Sequence, residues 1–286
     1  MPNLQPKPKL LAIDPVRRAL LGAAALGMAA LVPDTHAAVG GLPSNAGHTD
    51  SSPEWEHLRS KLFGNREIDS GSGRVKLIVP LRAAYGASVP VKIVSSFAQT
   101  PALDVRRMHL LVDKNPSPVA VVLDLGLEVG QADFKTRLRV DEYSHVRVVA
   151  ELSNGELHKD SRYVKTSGGC SAPPNRDALA LLGKTLLRVP DGVHVDAPTA
   201  ADVTVVHPND TGFELNNITV MYIPAHFVRS IKVSFDHGKV FDAELDFSVS
   251  ENPTLRFNFV PHGSGELLAE VEDSKEGHFV GTLKVA

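Results

Sequence analysis

One cysteine stands in the 286 residues of this chain, and its neighbours are unusual for a packed side chain. In "KTSGGCSAPPN", Lys165 to Asn175, Cys170 follows Gly168 and Gly169 and precedes Ser171, Ala172 and two prolines. A lone thiol can ligate a soft metal, attack a substrate, pair with another chain or carry a covalent group. Metal ligation is not expected, because no histidine or methionine lies nearby and the twelve histidines form no H-x-H or H-x-x-x-H pair. Hydrolytic catalysis lacks a G-x-S-x-G elbow and a Cys-His spacing. The carboxylate pairs Asp141-Glu142 and Glu272-Asp273 fall at turns and read as solvated. The glycines do not make a phosphate cradle, since no lysine or Ser/Thr stands in the required place and the prolines remove backbone donors. No cofactor is expected.

Covalent carriage fits best. Gly168 and Gly169 would let the backbone thread a narrow channel and turn freely, holding Cys170 out on a mobile arm. An unperturbed thiol titrates at ~8.5, so the thiolate is scarce at neutral pH. Lys165 is the only nearby cation, and the activating base is expected on a partner enzyme. The competing reading is a buried, inert cysteine, which the Gly-Gly and Pro-Pro neighbours speak against.

The compartment sharpens the question. Arg17-Arg18 is followed by "ALLGAAALGMAALV", Ala19 to Val32, too short for a spanning helix of ~20 residues. With the break at "PDTHA", this predicts a signal peptide over 1–37, cleaved after Ala37. The paired arginines point to the twin-arginine export route, although Val16 and Leu20 depart from its usual pattern. The expectation is a periplasmic protein without a membrane anchor. An unpaired cysteine in an exported chain suggests a reactive thiol or an intermolecular bond. Net charge is -3, and without residues 1–37 the balance is 26 basic against 31 acidic residues, with no basic cluster to hold nucleic acid.

The elements that would position Cys170 are strands. Residues 38–53 are rich in Gly, Ser, Asn and Pro and read as a disordered leader. "SPEWEHLRSKLFG" has Trp55, Leu58, Leu62 and Phe63 at helical spacing, with Ser52 or Pro53 as a start and Gly64 as a stop. Seven β-branched runs follow at sandwich spacing, from "RVKLIVP" to "LHKDSRYVKT", with Asn154-Gly155 as a hairpin turn. "NRDALALLGK" predicts a short helix from Asn175 to Gly183, and a second strand series runs from Leu186 to Ala286, including "ITVMYI". The expectation is all-β: two β-sandwiches joined by a Cys-bearing linker, after one N-terminal helix.

These segments resemble a fusion of SoxY and SoxZ, the two subunits of a periplasmic sulfur-oxidation carrier. "EWEHLRSKLFG", "DKNPSPVAVVLDL", "VRVVAELSNGEL" and "VKTSGGC" follow SoxY in order. "HPNDTGFEL", "IPAHFVRSIKVSFDHGKVFDAEL", "SENPTLRFNF" and "GELLAEVEDSKEG" follow SoxZ. The resemblance implies immunoglobulin-like folds, a SoxY-like domain over 54–167, a carrier segment over 168–184 and a SoxZ-like domain over 185–286. It also implies that Cys170 holds sulfur intermediates, with Gly168 and Gly169 as the flexible part of the arm. Two departures stand out: Ser171-Ala172 replaces a second glycine pair, and the arm is internal rather than terminal.

A free tail from Thr166 to Cys170 would reach ~13 Å, which a loop tethered at Asn175 cannot exceed by much. The expected function is therefore a non-enzymatic thiol carrier. Its expected partners are periplasmic oxidoreductases or sulfur-oxidation enzymes. The fused arrangement also resembles carriers associated with a quinoprotein dehydrogenase. The rival from another class is a docking protein of such a dehydrogenase system without covalent carriage. A metallochaperone ranks third. Whether the two halves pair within one chain or swap between chains is left open.

Overall fold

A computed structural model of the chain describes residues 50–286. The expected signal peptide and the leader as far as residue 49 lie outside those residues. Residues 50–53 do not behave as a disordered leader, because Asp50 pairs with Arg147 at 2.7 Å and Ser52 caps a helix. That helix, α1 (Pro53–Phe63), begins where the Ser52 hydroxyl accepts the Trp55 N–H at 3.0 Å, with Pro53 in the first turn. It ends at Gly64, whose φ of 60° disfavours other residues. Trp55, Leu58 and Phe63 face inward onto Leu111, Val149 and Leu157, so the helix covers part of one sheet's outer face.

The strands form because β-branched residues alternate between core and surface. In β3 (Val89–Ser95) every second residue, Val89, Val91, Ile93 and Ser95, is buried. The larger sheet runs β1 (Ile68–Asp69), β8 (Leu157–Val164), β7 (Ser144–Leu152), β4 (Val105–Val112), β5 (Val119–Leu125), β14 (Gly238–Leu245), β13 (Val228–Phe235), β16 (Gly265–Asp273) and β17 (His278–Val285). The smaller runs β2 (Val75–Ile78), β3, β6 (Asp133–Leu138), β15 (Thr254–Phe259), β10 (Thr199–Val205) and β9 (Thr185–Arg188). A two-stranded ribbon, β11 (Leu215–Asn216) with β12 (Met221–Tyr222), stands apart.

The fold is all-β with one helix, each half of the chain forming a two-sheet sandwich. The halves join through both sheets of a single chain. β5 lies antiparallel to β14, from Leu125 opposite Phe241 to Val121 opposite Leu245. β6 meets β15 where Lys135 faces Arg256. Behind this seam Phe134 meets Phe241 edge-on at 5.3 Å, and Phe241 meets Phe257 at 4.9 Å. One hydrophobic core therefore runs through both halves.

Two expected elements shrink. The helix over 175–183 is a single 3-10 turn, Leu179–Leu181. Its N-cap is Ala178, which offers no side-chain bond, while the expected cap Asn175 accepts the Asp177 N–H at 2.7 Å ahead of the turn. Leu179, Leu181 and Leu182 stay exposed, so no packing lengthens it. "ITVMYI" contributes only β12, because Ile218, Val220, Met221 and Tyr222 all face solvent.

Candidate functional site

Cys170 is 1% exposed, seated in the fold rather than held out from it. The correction has a clear cause: backbone groups on both sides of the thiol are tied to both halves of the chain. From the first half, the Gly168 N–H donates to the Asp141 carbonyl at 2.8 Å, and the Gly169 N–H to the Val140 carbonyl at 3.1 Å. The Cys170 N–H donates to Asp141 Oδ1 at 3.1 Å. From the second half, the Thr211 hydroxyl donates to the Cys170 carbonyl at 2.6 Å.

Arg139 completes the grip. Its guanidinium donates to the carbonyls of Gly169 at 2.9 Å and Ala172 at 3.0 Å. Its second terminal nitrogen lies 3.5 Å from the Asn209 carbonyl and 3.9 Å from Glu214. Arg139 and Glu214 are both 1% exposed. Glu214 in turn accepts the Thr211 N–H, which positions the hydroxyl that holds Cys170. Asn115 accepts the Asp141 N–H at 3.0 Å and donates to the Arg139 carbonyl at 2.8 Å.

The two arm glycines have different physical roles here. A Cβ on Gly169 would lie 2.4 Å from the Gly86 carbonyl oxygen and 2.5 Å from that of Val140, so only glycine lets the backbones approach. Gly168 faces open space but has φ of 71°, a conformation glycine adopts without strain. Gly86 is the reciprocal partner, since its own Cβ would meet the Ser167 carbonyl oxygen at 2.5 Å.

Electrostatics suppress the thiolate. Burial is the largest cause, followed by the negative charge of Asp141, and together with Glu214 and Asp246 they push the thiol up to about 12. Arg139 opposes this without reversing it. Lys165, the cation expected to help, is not among these influences. Seated like this, Cys170 is a poor nucleophile at neutral pH.

Sequence reasoning missed Arg139, Asp141, Thr211 and Gly86. Asp141 read as a solvated turn carboxylate, whereas only its neighbour Glu142 is exposed. Asp273, of the other pair, is 5% exposed and accepts from His226 Nε2 at 2.8 Å. His207 joins these two, with Nε2 3.7 Å from the same Asp273 oxygen. Three ligand-type groups thus converge, but the Asn209 N–H donates to His207 Nδ1 at 3.0 Å. Neutral His207 must then keep its proton on Nε2, the atom a metal would need. Within the trio only His226 and Asp273 are hydrogen-bonded, and His207 packs edge-on against the His226 ring at 4.5 Å, so the group links β16 to the loop holding Cys170.

Residues 59–170 match the family model described as "Sulfur oxidation protein SoxY", and residues 187–284 match "Sulphur oxidation protein SoxZ". No curated protein matches. Among solved structures, the sulfur carrier protein SoxY from Chlorobium limicola f thiosulfatophilum is 21% identical, with 40% of this chain and 91% of that one covered at a TM-score of 0.34. A superoxide reductase (neelaredoxin) from Ignicoccus hospitalis is 19% identical, covering 38% and 82% at a TM-score of 0.27. Among the described residues, no helix is long and apolar enough to cross a membrane.

Proposed function

The chain belongs to the SoxY and SoxZ families, one domain of each in a single polypeptide, and from that premise we propose that it is a carrier of sulfur-oxidation intermediates, held covalently on Cys170. The observation that carries this reading is where the SoxY match stops. It ends at residue 170, the lone cysteine. The protein is a carrier rather than a catalyst, and it works in the periplasm. There it presents its cargo to sulfur-oxidation enzymes, with a quinoprotein dehydrogenase as the further partner expected of the fused form.

Carriage needs an arm that leaves its seat. The buried thiol cannot enter a partner's active site, and its raised pKa keeps it unreactive. The retracted arm is therefore the resting state, and Gly168 and Gly169 provide the freedom to swing out. Because the arm is tethered on both sides, the partner must accept a loop rather than a single tail.

Burial also favours a second reading, a docking protein without covalent carriage whose Cys170 is a packed residue. Intact-mass spectrometry of the protein isolated from its native periplasm, before and after reduction, separates the two. A reducible mass increment on Cys170 is expected, and its size names the cargo. An unmodified thiol that also stays inert to thiosulfate plus oxidant would support the docking reading.

A further inference from the structure

The seat of Cys170 is unbalanced in charge. Asp141, whose Oδ1 accepts the Cys170 N–H at 3.1 Å, acts on the buried thiol together with the buried Glu214 and with Asp246, against one guanidinium, Arg139. The terminal nitrogens of that guanidinium are committed, Nη1 to the carbonyls of Gly169 and Ala172 and Nη2 to a place 3.9 Å from Glu214, and only its buried Nε has no partner. A neutral thiol tolerates this surrounding. A negative charge placed on the same side chain would be buried where these carboxylates outnumber the one guanidinium, which is itself shared with Glu214. The arm's other constraints are backbone hydrogen bonds, which hold whatever the side chain carries only while the side chain fits.

We propose that the charge carried at Cys170 selects the arm's position: the uncharged thiol is retracted into the seam between the two halves, and a covalent adduct bearing negative charge is expelled from it. This rests on the carrier reading and deepens it. Loading with an inorganic sulfur oxyanion would itself present the cargo, and unloading would retract the arm. A bare thiol would then be hidden from partners that act on loaded carrier. Asp141 is a positioning residue in this device, because it both accepts the Cys170 N–H and supplies the nearest-acting negative charge.

The adduct can be made without an enzyme. In the outward position the thiolate attacks a sulfenyl sulfur of tetrathionate. A Cys–S bond forms, the central S–S bond breaks, and thiosulfate leaves with the electron pair. The product is an S-thiosulfonate with one negative charge on the arm.

Hydrogen exchange of the amides of Gly168, Gly169 and Cys170 reads the arm's position, since all three are hydrogen-bonded when it is retracted. Full conversion is confirmed by mass before exchange. These amides should exchange at least tenfold faster in the loaded full-length protein than in the free-thiol form, while β-strand amides stay unchanged. In Asp141→Asn, which keeps an oxygen to accept the Cys170 N–H, the loaded-to-free ratio should fall several-fold. An isosteric pair isolates charge from size: Cys170→Asp should exchange at least tenfold faster than Cys170→Asn at neutral pH.

Equal protection of loaded and free arms, or equal exchange in the Asp and Asn variants, overturns the proposal. The carrier reading is judged separately, by whether the protein from its native source bears an adduct. Either result can fail without the other.

Discussion

The guanidinium of Arg139 donates to the carbonyl oxygen of Gly169 at 2.9 Å, one peptide before the lone cysteine, and to that of Ala172 two residues after it. One buried side chain thus bridges the arm on both sides of its thiol. Buried guanidinium groups need several acceptors to offset their lost hydration, and here backbone carbonyls of the arm supply them. The arm and Arg139 stabilise each other: removing either leaves the other's polar groups unpaired.

Arg139→Lys should therefore loosen the arm without dissolving the fold. Nη1 alone serves both carbonyls while Nη2 faces Asn209 and Glu214, and a single ammonium on a shorter stem cannot hold both sets of contacts. We expect iodoacetamide to alkylate Cys170 at least tenfold faster than in the wild type. Global stability should fall by about 1–3 kcal/mol, the scale of leaving buried groups unsatisfied. Timed alkylation followed by mass spectrometry, with denaturant unfolding alongside, checks both. Unchanged alkylation would mean that Arg139 does not hold the arm.

The raised thiol pKa makes a statement about stability against pH. The folded state resists ionising Cys170 until about 12, whereas the unfolded chain ionises it at ~8.5. Its contribution is fully present below the unfolded value and is lost as pH rises from there through the folded value. Wild type should lose more stability than Cys170→Ala between pH 7 and pH 10, measured as the difference in denaturation midpoints. Parallel profiles would show that the thiol ionises as easily in the fold as outside it.

Much of the fold was legible because it is local. The Ser52 cap, the Gly64 stop and the Asn154-Gly155 turn each follow from one or two residue types, and Gly155 has φ of 86° as such a turn requires. Strand periodicity marked the sandwich halves. The union of β5 with β14 was not legible, since an edge strand and a central strand carry the same alternation. Cys170 was found by its uniqueness, but its burial was not. Gly-Gly reads equally as freedom to move or as room for close approach, and only the position of Gly86 decides that Gly169 serves the second end in the resting arm. Arg139 and Asp141 look like ordinary strand-end charges until the loop carrying Thr211 closes over them.

The arm glycines should differ when replaced. Gly169→Ala puts a Cβ 2.4 Å from the Gly86 carbonyl oxygen, a contact that moving a flexible side chain cannot relieve. Its arm should fail to seat, giving alkylation of Cys170 at least as fast as in Arg139→Lys. Gly168→Ala meets open space and bears only the cost of a left-handed backbone, about 1 kcal/mol. Its alkylation rate should rise only several-fold. Similar rates for the two variants would show that close packing of Gly169 does not set the resting position.

Asp113 and Arg147 form a second buried Arg–carboxylate pair, which contacts α1 rather than the arm, and they test whether the scaffold is separable from it. Arg147 is fully buried, forks onto Asp113 at 2.7–3.0 Å, and lies 4.6 Å from the ring centroid of Trp55 in α1. Asp50 also contacts it, but Asp50 is half-exposed and cannot replace a buried partner. Asp113→Ala leaves a buried cation short of its principal acceptor and should cost about 3–5 kcal/mol. It should also loosen α1, seen as faster hydrogen exchange at Trp55 to Phe63. The rate of Cys170 alkylation, scaled for global unfolding, should stay at the wild-type value, because neither residue touches the arm. A matching rise in that scaled rate would mean that α1 and the carrier segment open as one unit.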